Sequence, residues 1–262
     1  GSPTGMVVYE GRALPEVFWD QMIHTDAGPN VVRAYPVKKY GAGYKASIEN
    51  IMEGNKDQWF RPSDVCVAPD GSIMVSDWYD PGVGGHQAGD LNRGRIFRIS
   101  KQGEPYNNPS YDLNTVNGAI EALLNPNLSI RYLGWVSLKD IGNDAVPALE
   151  KVFNENNNPR FKARALWMLS KIGNNNEAYI ENALKSDNPD IRITAFRAAR
   201  QSGMDLTPII QQLVSDKDPQ VRRDVAIALR NYKSDQAAEF WATLALQHDG
   251  EDRWYLEALG IG

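Results

Sequence analysis

Cysteine is almost absent from this 262-residue chain, which contains only Cys66. A single thiol excludes an intramolecular disulfide, and it leaves no cysteine pair or cluster for a metal site or for haem attachment. The surrounding run DVCVAP is apolar. We therefore expect Cys66 to be a small buried hydrophobic residue.

Long apolar runs and an excess of positive charge are also missing. No run approaches the roughly 18–20 apolar residues that a membrane-spanning helix needs. The net charge of -5 argues against nucleic acid as the partner, because surfaces that bind nucleic acid are basic. Histidine occurs three times, and no Walker loop, dinucleotide fingerprint, zinc spacing or Ser-His-Asp arrangement is present.

An internal repeat organises the first hundred residues. Residues 22–26 (MIHTD) and 73–77 (IMVSD) align with an offset of 51, and each is flanked by further short runs rich in β-branched and aromatic residues. A period near 50 with three or four strands per copy predicts two β-propeller blades at 1–100. Two blades cannot close a propeller, which needs about four to eight, so we expect an open β layer whose edges require a cover.

The two copies differ at the connection after their aligned aspartate. Asp26 to Val32 takes six residues in the first copy, whereas Asp77 to Ile96 takes nineteen in the second. The thirteen additional residues contain side chains typical of sites: Trp78, Tyr79, Asp80, His86, Asp90 and Arg93. An insertion of this kind at a strand connection is where such scaffolds usually place function.

Two interpretations of the inserted loop, residues 79–92, stay open. The first is a ligand site, with Asp77, Asp80 and Asp90 as calcium ligands, His86 as the catalytic candidate, and Trp78, Tyr79, His86 and Arg93 as substrate- or cofactor-binding groups. The second is a long surface connection in which the glycines make turns and Asp77 is tied to backbone N–H groups. Only the first interpretation requires the carboxylates and the histidine to converge.

Helical periodicity replaces the strand pattern after a polar linker at 101–112. Capping pairs recur at intervals of 33, 30, 30 and 31 residues: Asn125-Pro126, Asn158-Pro159, Asn188-Pro189, Asp218-Pro219 and an imperfect Asp249-Gly250. Asn or Asp accepts the first free N–H groups of a helix, and Pro in the next position costs no hydrogen bond. The spacing predicts an α-solenoid of HEAT or armadillo type at 113–262, with about five helical hairpins, the last one truncated. The overall fold class is therefore α+β and multidomain.

A row of arginines follows the capping pairs: Arg131, Arg164, Arg192, Arg222 and Arg253. Such a row either lines an anionic binding face or bridges neighbouring repeats through carboxylates such as Asp190 and Asp224. The bridging role is the commoner one in helical repeats, and we expect it here.

The strings SPTGMVVYEG, LPEVFWDQMIHTDAG and WFRPSDVCVAPDGSIMVSDWYDPGVGGH, followed by DLNRGRIFRIS, resemble the membrane-bound dehydrogenase family of environmental bacteria. Members of that family carry a propeller similar to glucose/sorbosone dehydrogenase, then HEAT repeats, then a c-type haem domain. The resemblance covers nearly the whole chain and matches the closing propeller blades and the HEAT region. It implies a periplasmic or cell-surface protein that oxidises sugars or polyols with pyrroloquinoline quinone (PQQ) and calcium.

Two parts of the family's architecture are missing from this chain. The earlier blades and a Cys-x-x-Cys-His haem motif are absent from the sequence. Because the chain starts on Gly1 and ends within a helical pattern, we expect a fragment, inactive by itself, of a longer sugar or polyol dehydrogenase. The alternative is a non-catalytic scaffold that binds carbohydrate or protein. The expected partners are a sugar or polyol, and a protein bound on the solenoid or on an exposed β edge.

Overall fold

The structure, a computed structural model, describes residues 2–81 and 92–262. His86 and Asp90 lie outside the described residues, so their predicted roles stay predictions. The chain divides into two compact units. Unit 1 comprises Gly1–Lys38, Ala46–Asp112 and Glu121–Leu133, and unit 2 comprises Lys39–Lys45, Leu113–Ile120 and Gly134–Gly262.

Unit 1 is built mainly from antiparallel strands. In chain order the described strands are β1 (Pro3–Tyr9), β2 (Gln21–Asp26), β3 (Val31–Tyr35), β4 (Val37–Tyr40), β5 (Gly43–Ala46), β6 (Glu49–Glu53), β7 (Pro62–Val67), β8 (Ile73–Asp77) and β9 (Arg95–Ile99). They form a four-stranded sheet in the order β1-β2-β3-β6, a pair β4-β5, and a three-stranded sheet in the order β7-β8-β9. None of these described sheets closes on itself, so the propeller stays a prediction. The α+β class is confirmed, because strands build the N-terminal region and helices the C-terminal region.

The internal repeat appears as two meanders with the same strand order. β2 pairs with β1 and β3, and β8 pairs with β7 and β9, all antiparallel. The aligned residues Asp26 and Asp77 end the two middle strands, and both are buried. The strands predicted at both copies are thus confirmed.

Alternating side chains build the core of unit 1, because successive residues of a strand face opposite sides. Val65 and Val67 of β7 pack into one buried cluster with Ile73 and Val75 of β8. Cys66, between the two valines, faces the other way and is exposed. The prediction of a buried Cys66 is wrong, since an apolar run in a strand still turns every second side chain outwards.

Tyr9 fastens the start of unit 1 to the Pro-Asp-Gly turn of the second meander. Its buried hydroxyl accepts a hydrogen bond from Leu14 N at 2.9 Å and donates one to Gly71 O at 2.8 Å. Gly71 has φ +83°, a conformation in which a side chain is strained. A Cβ on Gly11 would lie 2.2 Å from Gly71 O, so the close approach of the two segments requires glycine there.

The helical part follows the predicted change of period. The α-helices are α1 (Val116–Leu123), α2 (Leu128–Ile141), α3 (Val146–Glu155), α4 (Pro159–Leu169), α5 (Asn176–Ala183), α6 (Pro189–Ser202), α7 (Thr207–Leu213), α8 (Pro219–Leu229), α9 (Ala237–Ala245) and α10 (Arg253–Ile261). α4, α6, α8 and α10 pack each against the next, and α5, α7 and α9 pack against members of that row. Two such layers are the arrangement of an α-solenoid.

Three of the five predicted helix caps are confirmed. The side chains of Asn158, Asn188 and Asp218 each accept the backbone N–H two residues further on, at the start of α4, α6 and α8. The first and last predicted caps are displaced. Asn127 caps α2 by accepting from Ile130 N, and Asp252 caps α10 by accepting from Tyr255 N. At these two positions no proline follows the true cap, so the dipeptide signal marked the preceding turn instead.

The repeat arginines make individual contacts within the described residues. Arg192 donates through Nε and Nη2 to both oxygens of Asp216, at 2.8 and 2.7 Å, and through Nη1 to Ser186 O. Arg222 donates to the backbone oxygen of the same Asp216. Arg192 therefore bridges consecutive repeats as expected, although its partner is Asp216 and the carboxylate of Asp224 binds Arg197 instead.

Unit 2 also contains the tip of the β4-β5 hairpin. The backbone of Ala42 donates to Asp252 Oδ2 and accepts from Arg223 Nη1, both at 2.6 Å. Gln220 donates to Gly43 O at 2.8 Å, and a Cβ on Gly43 would lie 2.1 Å from the Trp254 ring. The starts of α8 and α10 therefore bind the main chain of the hairpin tip, and glycine permits the contact.

Candidate functional site: an aromatic and charged cluster in unit 1

Asp77 is the residue on which the site is built. It ends β8 with its side chain fully buried. One carboxylate oxygen accepts the backbone N–H groups of Arg61 at 2.7 Å and Tyr79 at 2.9 Å, and the other accepts Arg95 Nε at 2.7 Å. Both oxygens are thus occupied by hydrogen bonds that fix the strand end, which is the role assigned to Asp77 in the second interpretation.

Arg95 joins two carboxylates beneath an aromatic ring. It pairs with Asp77 at 2.6 Å and with Asp57 at 2.8 Å, and its guanidinium carbon lies 4.1 Å from the centre of the Tyr79 ring. Burial lowers the pKa of Arg95, but the hydrogen bonds and charges of Asp57 and Asp77 outweigh burial and leave the pKa raised. The guanidinium is therefore a permanent cation that holds its neighbours in place.

Trp59 lies beside the Tyr79 ring that covers Arg95. Trp59 and Tyr79 are 5.6 Å apart between ring centres and inclined by 53°, a geometry favourable for aromatic pairs. Arg93 approaches the Trp59 ring at 6.0 Å. Trp59 remains 37% exposed and Trp78 55% exposed. We call Asp57, Trp59, Asp77, Tyr79 and Arg95 the Arg95 cluster.

One member of the Arg95 cluster, Tyr79, has a strained backbone. Tyr79 has φ 55°, in the left-handed region that bulky residues rarely enter. The hydrogen bond from its N–H to Asp77 and the bond from Asp80 N to Trp59 O hold the chain there. Strained conformations persist only where the surroundings enforce them, and they concentrate at ligand sites.

The predicted site residues are brought together in part. Tyr79 and Arg93 both contact Trp59, while Trp78 is exposed beside Tyr79, and its N–H donates to Arg61 O. Asp80 is buried next to them. Within the described ranges no group of three His, Cys, Asp or Glu side chains is placed to hold a metal ion. The proposed calcium set includes Asp90, which lies outside those ranges, so it stays a prediction.

Three residues of the cluster were not anticipated from the sequence. Asp57 and Trp59 lie in the segment before β7, and Arg95 begins β9. The signal that points to Arg95 is the aspartate at the end of β8, because a carboxylate buried there needs a cationic partner. The register between β8 and β9 places Arg95 directly opposite Asp77.

The arrangement is suited to binding. The carboxylates of Asp57 and Asp77 are paired with Arg95, and the described part of the cluster contains no histidine. What it presents is a partly exposed indole that contacts Tyr79 and has Arg93 close by. Aromatic faces with neighbouring polar groups recognise ligands that have both an apolar face and hydrogen-bonding groups.

Known families match the β-rich part and the helical part of the chain separately. A family described as a domain of unknown function (DUF7133) matches residues 1–103, and HEAT repeats match residues 176–260. No curated protein matches the chain. The C-terminal helical region therefore contains HEAT repeats, which commonly mediate protein interactions. None of the helices in the described ranges is long and apolar enough to cross a membrane.

Proposed function

We propose that this chain is the sugar-recognising part of a secreted bacterial quinoprotein-like sugar or polyol dehydrogenase, with its HEAT repeats as an interaction scaffold. The observation that carries the proposal is the partly exposed Trp59 ring, which lies beside the Tyr79 ring, and Tyr79 in turn lies over Arg95 and its pairs with Asp57 and Asp77. A sugar ring offers a C–H face for the indole, and its hydroxyl groups can reach the partly exposed Asp57 and Arg95.

Titration calorimetry of the chain with D-glucose and D-sorbitol tests the binding step. Replacing Trp59 with alanine should weaken sugar binding about tenfold and lower the measured heat of binding accordingly. Trp241→Ala is the matched control, because Trp241 is 41% exposed, similar to Trp59, and lies in unit 2. Equal heats for the wild type and the Trp59 variant would refute the proposal.

The oxidation step belongs to the protein that carries this chain with its further blades and electron acceptor. Its support is the resemblance of the strings around Trp59, Trp78 and Tyr79 to the dehydrogenase family. Pyrroloquinoline quinone would supply the hydride-accepting chemistry and calcium would act as a Lewis acid, and the resemblance implies a protein outside the cytoplasm. Sugar-dependent reduction of a dye by that longer protein, loaded with both, is the expected result.

The alternative is a scaffold that binds carbohydrate or protein without a redox step. The observation that favours it is the pairing of both cluster carboxylates with Arg95, which leaves them as structural groups. A longer protein that binds sugar, but neither calcium nor quinone, and reduces no dye would establish this alternative.

A further inference from the structure

A groove with an apolar floor lies between α5 and α7, in two consecutive helical repeats of unit 2. Its volume is about 370 Å³, which falls in the range of about 300–1,000 Å³ that ligand sites have. The apolar part of its lining consists of Leu184, Met204, Pro208 and Ile209. Leu184 and Ile209 are buried, so the packing of the helices fixes the floor. The groove is therefore formed before any partner arrives.

Charged side chains surround this floor, and most of them are acidic. The polar part of the lining consists of Glu177, Glu181, Lys185, Asp205 and Gln212. Neither Glu177 nor Glu181 is paired with a cation among the described residues. The backbone N–H of Thr207 donates to Asp205 at 3.0 Å, and this hydrogen bond lowers the pKa of Asp205, so the carboxylate stays ionised. The rim of the groove is therefore negatively charged.

The two glutamates of this rim have no charged counterparts in the next repeat. The capping pairs at Asn188 and Asp218 are 30 residues apart, so the positions of Glu177 and Glu181 correspond to those of an uncharged threonine and glutamine. Glu177 and Glu181 are four residues apart in α5, and like charges at this spacing repel each other across one helix face. A cation placed between them would relieve that repulsion.

The chemistry of the groove fits a guanidinium group on an apolar stem. Within the described ranges no group of three His, Cys, Asp or Glu side chains is placed to hold a metal ion, so the rim carboxylates are spread around the floor. Arginine has a delocalised, weakly hydrated charge that pairs well with carboxylates, and its methylene stem packs on apolar surface. Arginine, methionine and apolar centres are also enriched in contacts between proteins.

We propose that this groove binds a short segment of a partner protein that presents an arginine side chain next to an apolar one. The partner's guanidinium pairs with Glu177 and Glu181, and its apolar neighbour lies against Leu184 and Met204. An apolar centre within a charged rim is the usual anatomy of such contacts. The inference rests on the scaffold role proposed for the HEAT repeats and gives that role a place. It is independent of sugar binding by the Arg95 cluster.

Nuclear magnetic resonance of the full chain, titrated with the peptide acetyl-Leu-Arg-Leu-amide, tests the proposal. The methyl signals of Met204 and Ile209 and the side-chain amide signal of Gln212 should shift saturably. The same peptide with uncharged citrulline in place of arginine should bind about fivefold more weakly, because partly exposed ion pairs contribute modestly. Signals that stay still, or equal affinities for the two peptides, would overturn the proposal. Equal affinity for L-arginine amide alone would also overturn it, since the groove would then bind a free cation.

Variants of the rim locate the effect. Glu177→Gln combined with Glu181→Gln should weaken binding of the arginine peptide about fivefold and remove its preference over citrulline. Glu239→Gln is the matched control, because Glu239 is an exposed carboxylate in the first turn of α9, outside the groove. An unchanged double variant, or an equal loss in the control, contradicts the proposal. D-glucose should move the Trp59 indole signal without moving the Gln212 amide, so failure of the sugar site and failure of this groove give different results.

Discussion

At the scale of single residues, Asp77 determines how the second meander ends. Its fully buried carboxylate binds two backbone N–H groups and Arg95. The sequence suggested Asp77 both as a metal ligand and as a backbone anchor. The structure shows the anchor, because the short distances to Arg61 N and Tyr79 N use one oxygen and Arg95 uses the other.

Replacing Arg95 tests this assignment. Arg95→Leu leaves the carboxylate of Asp77 buried without its cation, and we expect the free energy of unfolding to fall by about 3 kcal/mol. Arg12→Leu is the control, because Arg12 pairs with Asp20 on the surface, where a lost pair costs less than about 1 kcal/mol. Chemical denaturation followed by circular dichroism measures both. Equal losses would show that the Asp77–Arg95 pair is no more important than a surface pair.

Cys66 gives a pH-dependent prediction. Its side chain reaches the surface, yet neighbouring atoms desolvate the thiol and Asp64 adds a negative charge, so the pKa of Cys66 is raised. A raised pKa means less thiolate at a given pH, and we expect slower alkylation by iodoacetamide than for glutathione at the same pH. Asp64→Asn should lower the pKa and increase the rate. A rate unchanged by Asp64→Asn would show that its charge does not act on the thiol.

At the scale of elements, local signals in the sequence located the strands of the two meanders and the starts of α4, α6 and α8, but not β4, β5 or β6. The caps Asn158, Asn188 and Asp218 are correct because Asn-Pro and Asp-Pro satisfy the first turn of a helix through purely local hydrogen bonds. The exposure of Cys66 was missed because an apolar run does not reveal which face of a strand is buried. The contact of Ala42 with Arg223 and Asp252 was missed because it joins residues about two hundred positions apart.

The arginines that follow the capping pairs occupy equivalent positions of the repeat but differ in burial. Arg192 and Asp216 are both almost fully buried, whereas Arg253 is 87% exposed and pairs with Glu257 on its own helix. Arg192→Ala should therefore lower the free energy of unfolding by about 3 kcal/mol, and Arg253→Ala should change it by less than about 0.5 kcal/mol. Thermal unfolding of the two variants compares them directly. Similar losses would mean that the row has a common role unrelated to bridging.

At the scale of the whole molecule, the chain combines a β-rich region, whose described sheets do not close, with a helical region that contains HEAT repeats. The sequence predicted this combination from the change of period near residue 113. It also indicated Trp78, Tyr79 and Arg93 as candidate binding residues. It did not identify Trp59 or Arg95, because their importance comes from strand pairing and ring contacts across the fold.

The central claim is that the Arg95 cluster binds a sugar or polyol through Trp59. The most direct measurement is the indole N–H spectrum of the chain, which contains seven tryptophans, during titration with D-glucose and D-sorbitol. We predict saturable shifts of the Trp59 and Trp78 signals, with those of Trp241 and Trp254 unchanged. Trp59 and Trp78 signals that do not move at any sugar concentration, or that move no more than those of the helical unit, would contradict the account.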